Sequence, residues 1–313
     1  MANTTSLTPT LLEKGLNEVF YQKYGETTLG MIMSDDVFNF NNVSIGMSET
    51  DLALAAISEF LVTEEQANLN RDEVLERGST IYQHDIYSNG FDISYKMLLA
   101  DETGQNMIEQ AAQLGQAARQ SQEKQRMGVL RNGGTTIGLD GVPLFSDSHP
   151  LADGTTQDNN VAFNTNLYTT IKDMMSVLRQ QVQYNGDLSI AKDPSMLICT
   201  EDNFDSVIEV VEAENIPNAT NNNEINFISK KFPGLKVGWN PYLGTRFGGE
   251  DKDLFMVTDK TNHKLKVMVR EGINTWLNPW TENDNIVTKY NAKYVESSGF
   301  SDYLGTVKGQ SSA

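Results

Sequence analysis

The chain has 313 residues, is 39% hydrophobic and has neither glycine nor proline in excess, so it is globular and long enough for two domains or one elaborated fold. Its formal net charge of −18 excludes nucleic-acid binding through a broad basic face, and opposes close packing of copies unless contacts neutralise it. A single cysteine, Cys199, excludes an internal disulfide and a Cys-cluster metal site. The polar start, Met1 to Thr10, has no signal-peptide pattern, and no apolar run approaches a membrane span. The expectation is a soluble protein made and kept in a cytoplasm.

Residues 1–10 read as a loose arm, followed by an amphipathic helix over Pro9 to Tyr24 with Leu12, Leu16, Val19 and Phe20 on one side. Residues 26–50, rich in Ser, Thr, Asn and Asp, suggest an extended segment packed on something else. From Ser79 the period changes to two. Phe91, Ile93 and Tyr95 alternate with polar residues, and Asn89-Gly90 just before them is a tight-hairpin signal. The spacing predicts a hairpin of Thr80 to Tyr87 with Phe91 to Lys96, an arm whose partner is another subunit.

A long helix follows over residues 101–132, with Asp101 as its cap, Glu102 at the positive end of its dipole, and Asn132-Gly133-Gly134 as its stop. At 1.5 Å per residue it is roughly 48 Å long. Met107, Ile108, Ala111, Leu114, Gly115 and Ala118 form its apolar stripe, which thins to Met127, Val129 and Leu130 among polar residues. Such a helix lies across a sheet, with much of its surface wet or at subunit contacts. Beyond a Gly-rich connector, helices are expected from Leu167 to Val182 and around Phe204 to Val211. Strands are expected at Met196 to Thr200, Lys236 to Trp239, Leu254 to Thr258 and Lys264 to Val269, with a surface loop at Asn218 to Asn226. A long alternating strand from Ile286 to Val295 closes the fold.

This order resembles the major capsid proteins of tailed bacteriophages, whose shared architecture is the Hong Kong 97-type fold. Three stretches carry the resemblance: Gly90 to Met97 running into Asp101; Gly141-Val142-Pro143-Leu144-Phe145-Ser146-Asp147-Ser148-His149-Pro150, similar to a segment of the Mu-like major head subunits; and Gly299 to Gly305. The resemblance implies an α+β fold. Its parts are an N-terminal arm (1–50), an extended loop with a β-hairpin (51–98), a peripheral domain with the spine helix (99–159 and 276–313) and an inserted axial domain (160–275). It implies a shell of pentamers and hexamers enclosing double-stranded DNA without sequence-specific binding, assembled in a bacterial cytoplasm and resident in the virion. Portal, decoration and scaffold proteins are implied partners, the scaffold being separate or absent if Met1 is the true start. An encapsulin-like compartment is the structural alternative.

On that reading Tyr87, Asn89, Gly90, Phe91 and Lys96 of the hairpin, and Arg119, Lys124 and Arg126 of the long helix, are subunit-interface candidates. Arg119, Lys124, Arg126 and Arg131 along the helix suggest a face toward packaged DNA, but Glu123 and several Gln residues dilute that patch, so these cations are expected in solvent or paired to a neighbour's carboxylates. Gly141, Leu144, Phe145, Ser146, His149 and Pro150 form a structural motif in which His149 is a turn histidine. An alternative of another class is a soluble enzyme around His149 with Asp147 or Asp153. Single histidines without a second ligand nearby do not make a metal site, Cys199 in an apolar strand is a core residue, and Gly138-Leu139 departs from the phosphate-loop pattern. No catalytic, cofactor or metal residue is assigned.

Overall fold

The computed structural model describes residues 9–27, 30–43, 46–54, 76–94, 105–164, 166–186, 193–216, 224–279 and 287–310, with isolated positions from 57 to 71 and at 96 and 100. The expectations for the first eight residues, Tyr95, Met97, Asp101, Glu102, Ile286 and most of the Asn-rich loop lie outside these.

Helix α1 (Pro9–Tyr24) is followed by a single turn, α2 (Ser34–Val37), and strand β1 (Asn39–Asn42). Strands β2 (Ser48–Leu54) and β3 (Glu76–Gln83) pair antiparallel as a two-stranded ribbon, and β4 (Asp85–Ser94) continues from it after His84. The long helix α3 spans Gln105–Arg131, and 27 residues make it about 40 Å long. Its stripe is buried at Met107, Ala111, Leu114 and Gly115, whereas Ile108 is exposed. It stops at the expected place, but neither Gly133 nor Gly134 takes a positive φ. Gly133 is needed for space: a Cβ there would meet the Phe145 ring at 2.6 Å.

Two sheets hold the chain together. The first has the order β1-β11-β12-β4, with β11 (Leu265–Asn278) and β12 (Val287–Phe300) as a 14-residue antiparallel pair. Fourteen residues extend about 46 Å, which matches α3 lying on this sheet. Inward residues of β12 recur at Thr288, Tyr290, Ala292 and Tyr294, as its alternation predicts. Phe20, Leu16, Ile93, Met107, Ala111 and Tyr290 fill the layer between α1, α3 and the sheet.

The second sheet has the order β7-β13-β10-β8-β9, from β7 (Asn160–Ala162), β13 (Thr306–Gln310), β10 (Leu254–Val257), β8 (Met196–Cys199) and β9 (Lys236–Trp239). β8 and β10 are buried at every residue because both faces are covered. Leu197, Cys199, Leu254 and Met256 face helices α4 (Leu167–Gln180) and α5 (Phe204–Glu212). Met196, Ile198, Phe255 and Val257 face the core shared with Met127 and Leu130 of α3. The short strands β5 (His149–Pro150) and β6 (Thr156–Gln157) pair beside it, and α6 (Phe227–Lys231) is a brief helix before β9.

Three expectations are corrected. Asn89-Gly90 makes no turn: both residues lie within β4, opposite Ala292 and Asn291. Gly90 serves close approach, since a Cβ would meet Tyr290 O at 2.7 Å. The hairpin is instead β2–β3, and β4 belongs to the first sheet. Second, within the expected 1–50 arm, residues 9–27 and 30–43 pack on this subunit itself rather than reaching away from it. α1 crosses α3 where Gly115 leaves room only for the Phe20 carbonyl, and β1 pairs parallel with β11. Third, β11 runs in the sheet of β12 although its first residues fall within 160–275, and the tail strand β13 runs inside the second sheet although it falls within 276–313.

Candidate functional site

An exposed apolar face lies on the β2–β3 ribbon. Strand alternation sends Glu49, Asp51, Thr80 and Tyr82 toward the body and Thr50, Leu52, Leu54 and Ile81 outward. Leu52, Leu54 and Ile81 are about half to two-thirds exposed, and Phe60 and Val62, beyond β2, are fully so. The inward face is tethered. The Tyr82 hydroxyl meets Ser301 Oγ at 2.7 Å, Asp51 takes hydrogen bonds from Lys266 and Ser301, and Arg77 pairs with Asp302 at 2.9 Å while lying over the Tyr184 ring. Burial pushes the Tyr82 phenol up to about 12. Burial opposes ionisation of Asp51 too, but Lys266 and Ser301 outweigh it and hold the carboxyl below its ordinary value. The ribbon is thus fixed at its root and apolar on its outer face.

The hairpin candidates sit elsewhere. Tyr87 stacks on Tyr294 at 4.9 Å and Phe91 packs on Tyr290 at 5.5 Å. With exposed Asn89 and Gly90 they lie on β4, whose second edge pairs with no strand among the described residues. Lys96 is exposed.

Arg119 and Arg126 are corrected: both guanidiniums are satisfied by this chain's own acids. Arg126, 4% exposed, donates to both carboxylate oxygens of Glu296 at 3.1 and 2.7 Å, to Asp35 at 2.9 Å and to Ser34 Oγ at 3.2 Å. Arg119 reaches Asp35 at 2.6 Å and Glu123 at 3.3 Å, and Glu123 accepts from Ser34 N and Oγ. This lock clasps α2 and β12 to α3. Burial raises the Glu123 carboxyl, with Ser34 and the two arginines offsetting only part. No periodicity signals such a lock, because its members come from three distant stretches. Lys124 is exposed, away from it.

The 141–150 motif is structural in its contacts. Gly141 takes φ +82°, Leu144 is fully buried, and Phe145 packs on Gly133 and on Phe255 at 5.6 Å. Ser146 N donates to Asn159 at 2.9 Å, and Pro150 pairs with Thr156. His149 is not in a turn but begins β5, paired with Gln157. It is 1% exposed, meets Asp140 at 2.5 Å and Asn159 at 3.1 Å through its two nitrogens, and stacks on Tyr303 at 3.7 Å. Its acidic partner is Asp140 rather than Asp147 or Asp153. Cys199 is buried in β8, and burial pushes its thiol up to about 12. Among the described residues no group of three His, Cys, Asp or Glu side chains could hold a metal ion, and no helix is long and apolar enough to cross a membrane.

The arrangement has the features of a building block: a long helix on a long-stranded sheet, a second sheet fused to it, and a tethered ribbon with an uncovered apolar face. Several solved structures with a similar fold are phage capsids. The chain is similar to the capsid of Cyanophage P-SCSP1u (TM-score 0.59, 9% identity, covering 92% of this chain and 91% of that one). It is similar to Mycobacterium phage Adephagia (0.57, 11%, 92% and 92%) and to a virus-like particle from Pyrococcus furiosus (0.54, 10%, 96% and 97%). The fold is therefore of the Hong Kong 97 type. No curated protein matches the sequence. A family model described as phage capsid protein matches residues 76–309, and the chain belongs to that family. Its function is that of a major capsid protein, which forms the phage head shell as an oligomer and has its place in the virion.

Proposed function

We propose that this subunit builds its shell by laying the outer face of the β2–β3 ribbon on a neighbouring copy. The carrying observation is the pairing of an anchored root, Asp51, Arg77 and Tyr82, with an uncovered apolar face at Leu52, Leu54 and Ile81. Exposed apolar surface of this kind marks a contact site. The open edge of β4, with Tyr87, Asn89, Gly90 and Phe91, is a second contact region, because unpaired strand edges accept other chains. Such heterologous contacts close into pentamers and hexamers and then a shell, held by many weak contacts together. The Gly141–Pro150 segment supports a place near the Mu-like head subunits. Portal and decoration proteins, with or without a scaffold, complete the head in a bacterial cytoplasm, and the protein has no catalytic role.

The test replaces Leu52, Leu54 and Ile81 together with serine. The expected result is folded subunits, with the parent's circular dichroism, that no longer sediment as shells. Shells formed as readily as by the parent would refute the ribbon contact.

A further inference from the structure

Arg119 and Arg126 are consumed by the internal lock, yet three other cations gather beside them. Lys124 of α3 and Arg246 of the turn Thr245–Phe247 lie 5.9 and 5.8 Å from the centroid of one ring, Phe247. Phe247 packs on Tyr242 at 4.9 Å, and Arg131 donates to the Tyr242 carbonyl at 3.1 Å. None of the three cations forms an ion pair among the described residues, although the chain has 42 acidic side chains against 24 basic ones. Arg131 is partly buried, donates to the Tyr242 carbonyl and to Asn132 Oδ1 but to no carboxylate, and burial lowers its affinity for the proton. A desolvated cation without a counter-charge favours an anion from outside.

Lys124 and Arg131 also line a cleft of about 660 Å³ between α3, β3 and β12. Its other walls present Gln125, Asn132, Thr136 and Ser297, with Asp85 at one side, Glu296 already committed to Arg126, and Ser79 and Ile81 of the ribbon where the cleft borders the proposed neighbour contact. Hydroxyls and amides interleaved with Lys and Arg are the groups that contact phosphate oxygens of a nucleic-acid backbone. An aromatic pair between the cations adds a surface for an adjoining sugar or base.

We propose that Lys124, Arg131 and Arg246, with the cleft beside them, form a contact site for the phosphate backbone of nucleic acid, and that this face of the subunit is turned toward the packaged DNA. The inference rests on the capsid reading. The contact is weak and indifferent to sequence, because the −18 background repels a polyanion and the site presents no array of base-reading groups.

The test is fluorescence anisotropy of a labelled 20-base-pair duplex with unassembled full-length subunits, titrated with sodium chloride. The Lys124→Gln/Arg131→Gln/Arg246→Gln variant is compared with the parent. A double variant keeps Arg131, so that the two exposed positions are tested without disturbing the half-buried one. The expected result is weak parental binding whose salt slope falls by about 2 to 3 in the triple variant and about 2 in the double, near 0.9 per lost phosphate contact. Affinity at low salt is expected to drop at least tenfold in the triple variant. Binding unchanged in both variants, or no parental binding at low salt, overturns the proposal. So does a variant that keeps its DNA binding and loses shell assembly, which would assign the cations to a neighbour's carboxylates. Sedimentation of the same preparations separates the two readings: a parent that never assembles removes the capsid reading, whatever the duplex does.

Discussion

Arg126 is the centre of the ion-pair lock that holds α2 to the body. Its guanidinium joins Glu296 of β12 to Asp35 and Ser34 of α2. Removing one partner of a buried ion pair leaves an uncompensated charge and costs about 3–5 kcal/mol. Arg126→Ala is therefore expected to lower the stability measured by urea unfolding by that amount. Glu123 behaves in the opposite sense. Its carboxyl titrates higher in the folded chain than in the unfolded one, mainly from burial. Its stabilising contribution is complete below the ordinary carboxylate value and is lost as pH rises through the raised one. Glu123→Gln is expected to have a urea midpoint at pH 7 no lower than the parent's. His263 is buried and accepts from Leu265 N through Nδ1 at 3.2 Å, while burial brings it down to about 4 from its ordinary 6.5. The folded state excludes the proton, so this contribution is full above pH 6.5 and fades as pH falls to 4, worth roughly 3 kcal/mol at most. His263→Asn keeps an acceptor for Leu265 N and is expected to flatten the acid side of the stability profile between pH 6.5 and 4.

At the scale of elements, two helical glycines show how packing overrides propensity. Gly15 of α1 has nothing within 4 Å of a Cβ, whereas a Cβ on Gly115 of α3 would lie 2.5 Å from the Phe20 carbonyl. Gly15→Ala is expected to raise stability by about 0.5–1 kcal/mol through helix propensity. Gly115→Ala is expected to lower it by about 1–3 kcal/mol by forcing α1 off α3. Unfolding curves of the two variants give the comparison directly. The same contrast explains which elements could be read from the chain. α1, α5 and β12 were legible because each repeats its buried residues at its own period. The stop of α3 was legible as punctuation, although Gly133 acts through space rather than φ. Asn89-Gly90 misled because a turn signal operates only where its flanking strands pair with each other. Here β12 offers a continuous ladder to the whole of β4.

At the scale of the molecule, the fold class was legible from element order, while the joins were not. β13 enters the middle of the second sheet, and β11 spans a break at 275 that composition does not mark. Those pairings unite residues far apart in sequence and leave no local trace. The candidate site divides in the same way. The 141–150 motif could be named from its residues, but the Arg126 lock, the Asp140 partner of His149 and the uncovered ribbon face became visible only with the chain folded. The resulting subunit is internally neutralised at Arg119 and Arg126 of α3, tethered at the ribbon root, and apolar on the outer face of the ribbon. Those are properties of a part made to contact copies of itself.

The most direct test of that claim is electron microscopy of the purified protein, with sedimentation velocity on the same sample. The account expects closed shells, tubes, or pentamers and hexamers, with ribbon density lying on an adjacent copy and DNA inside particles from the native source. Particles filled with protein cargo would make the shell a compartment instead. A uniform small oligomer at every salt concentration, even with a scaffold supplied, would contradict the account.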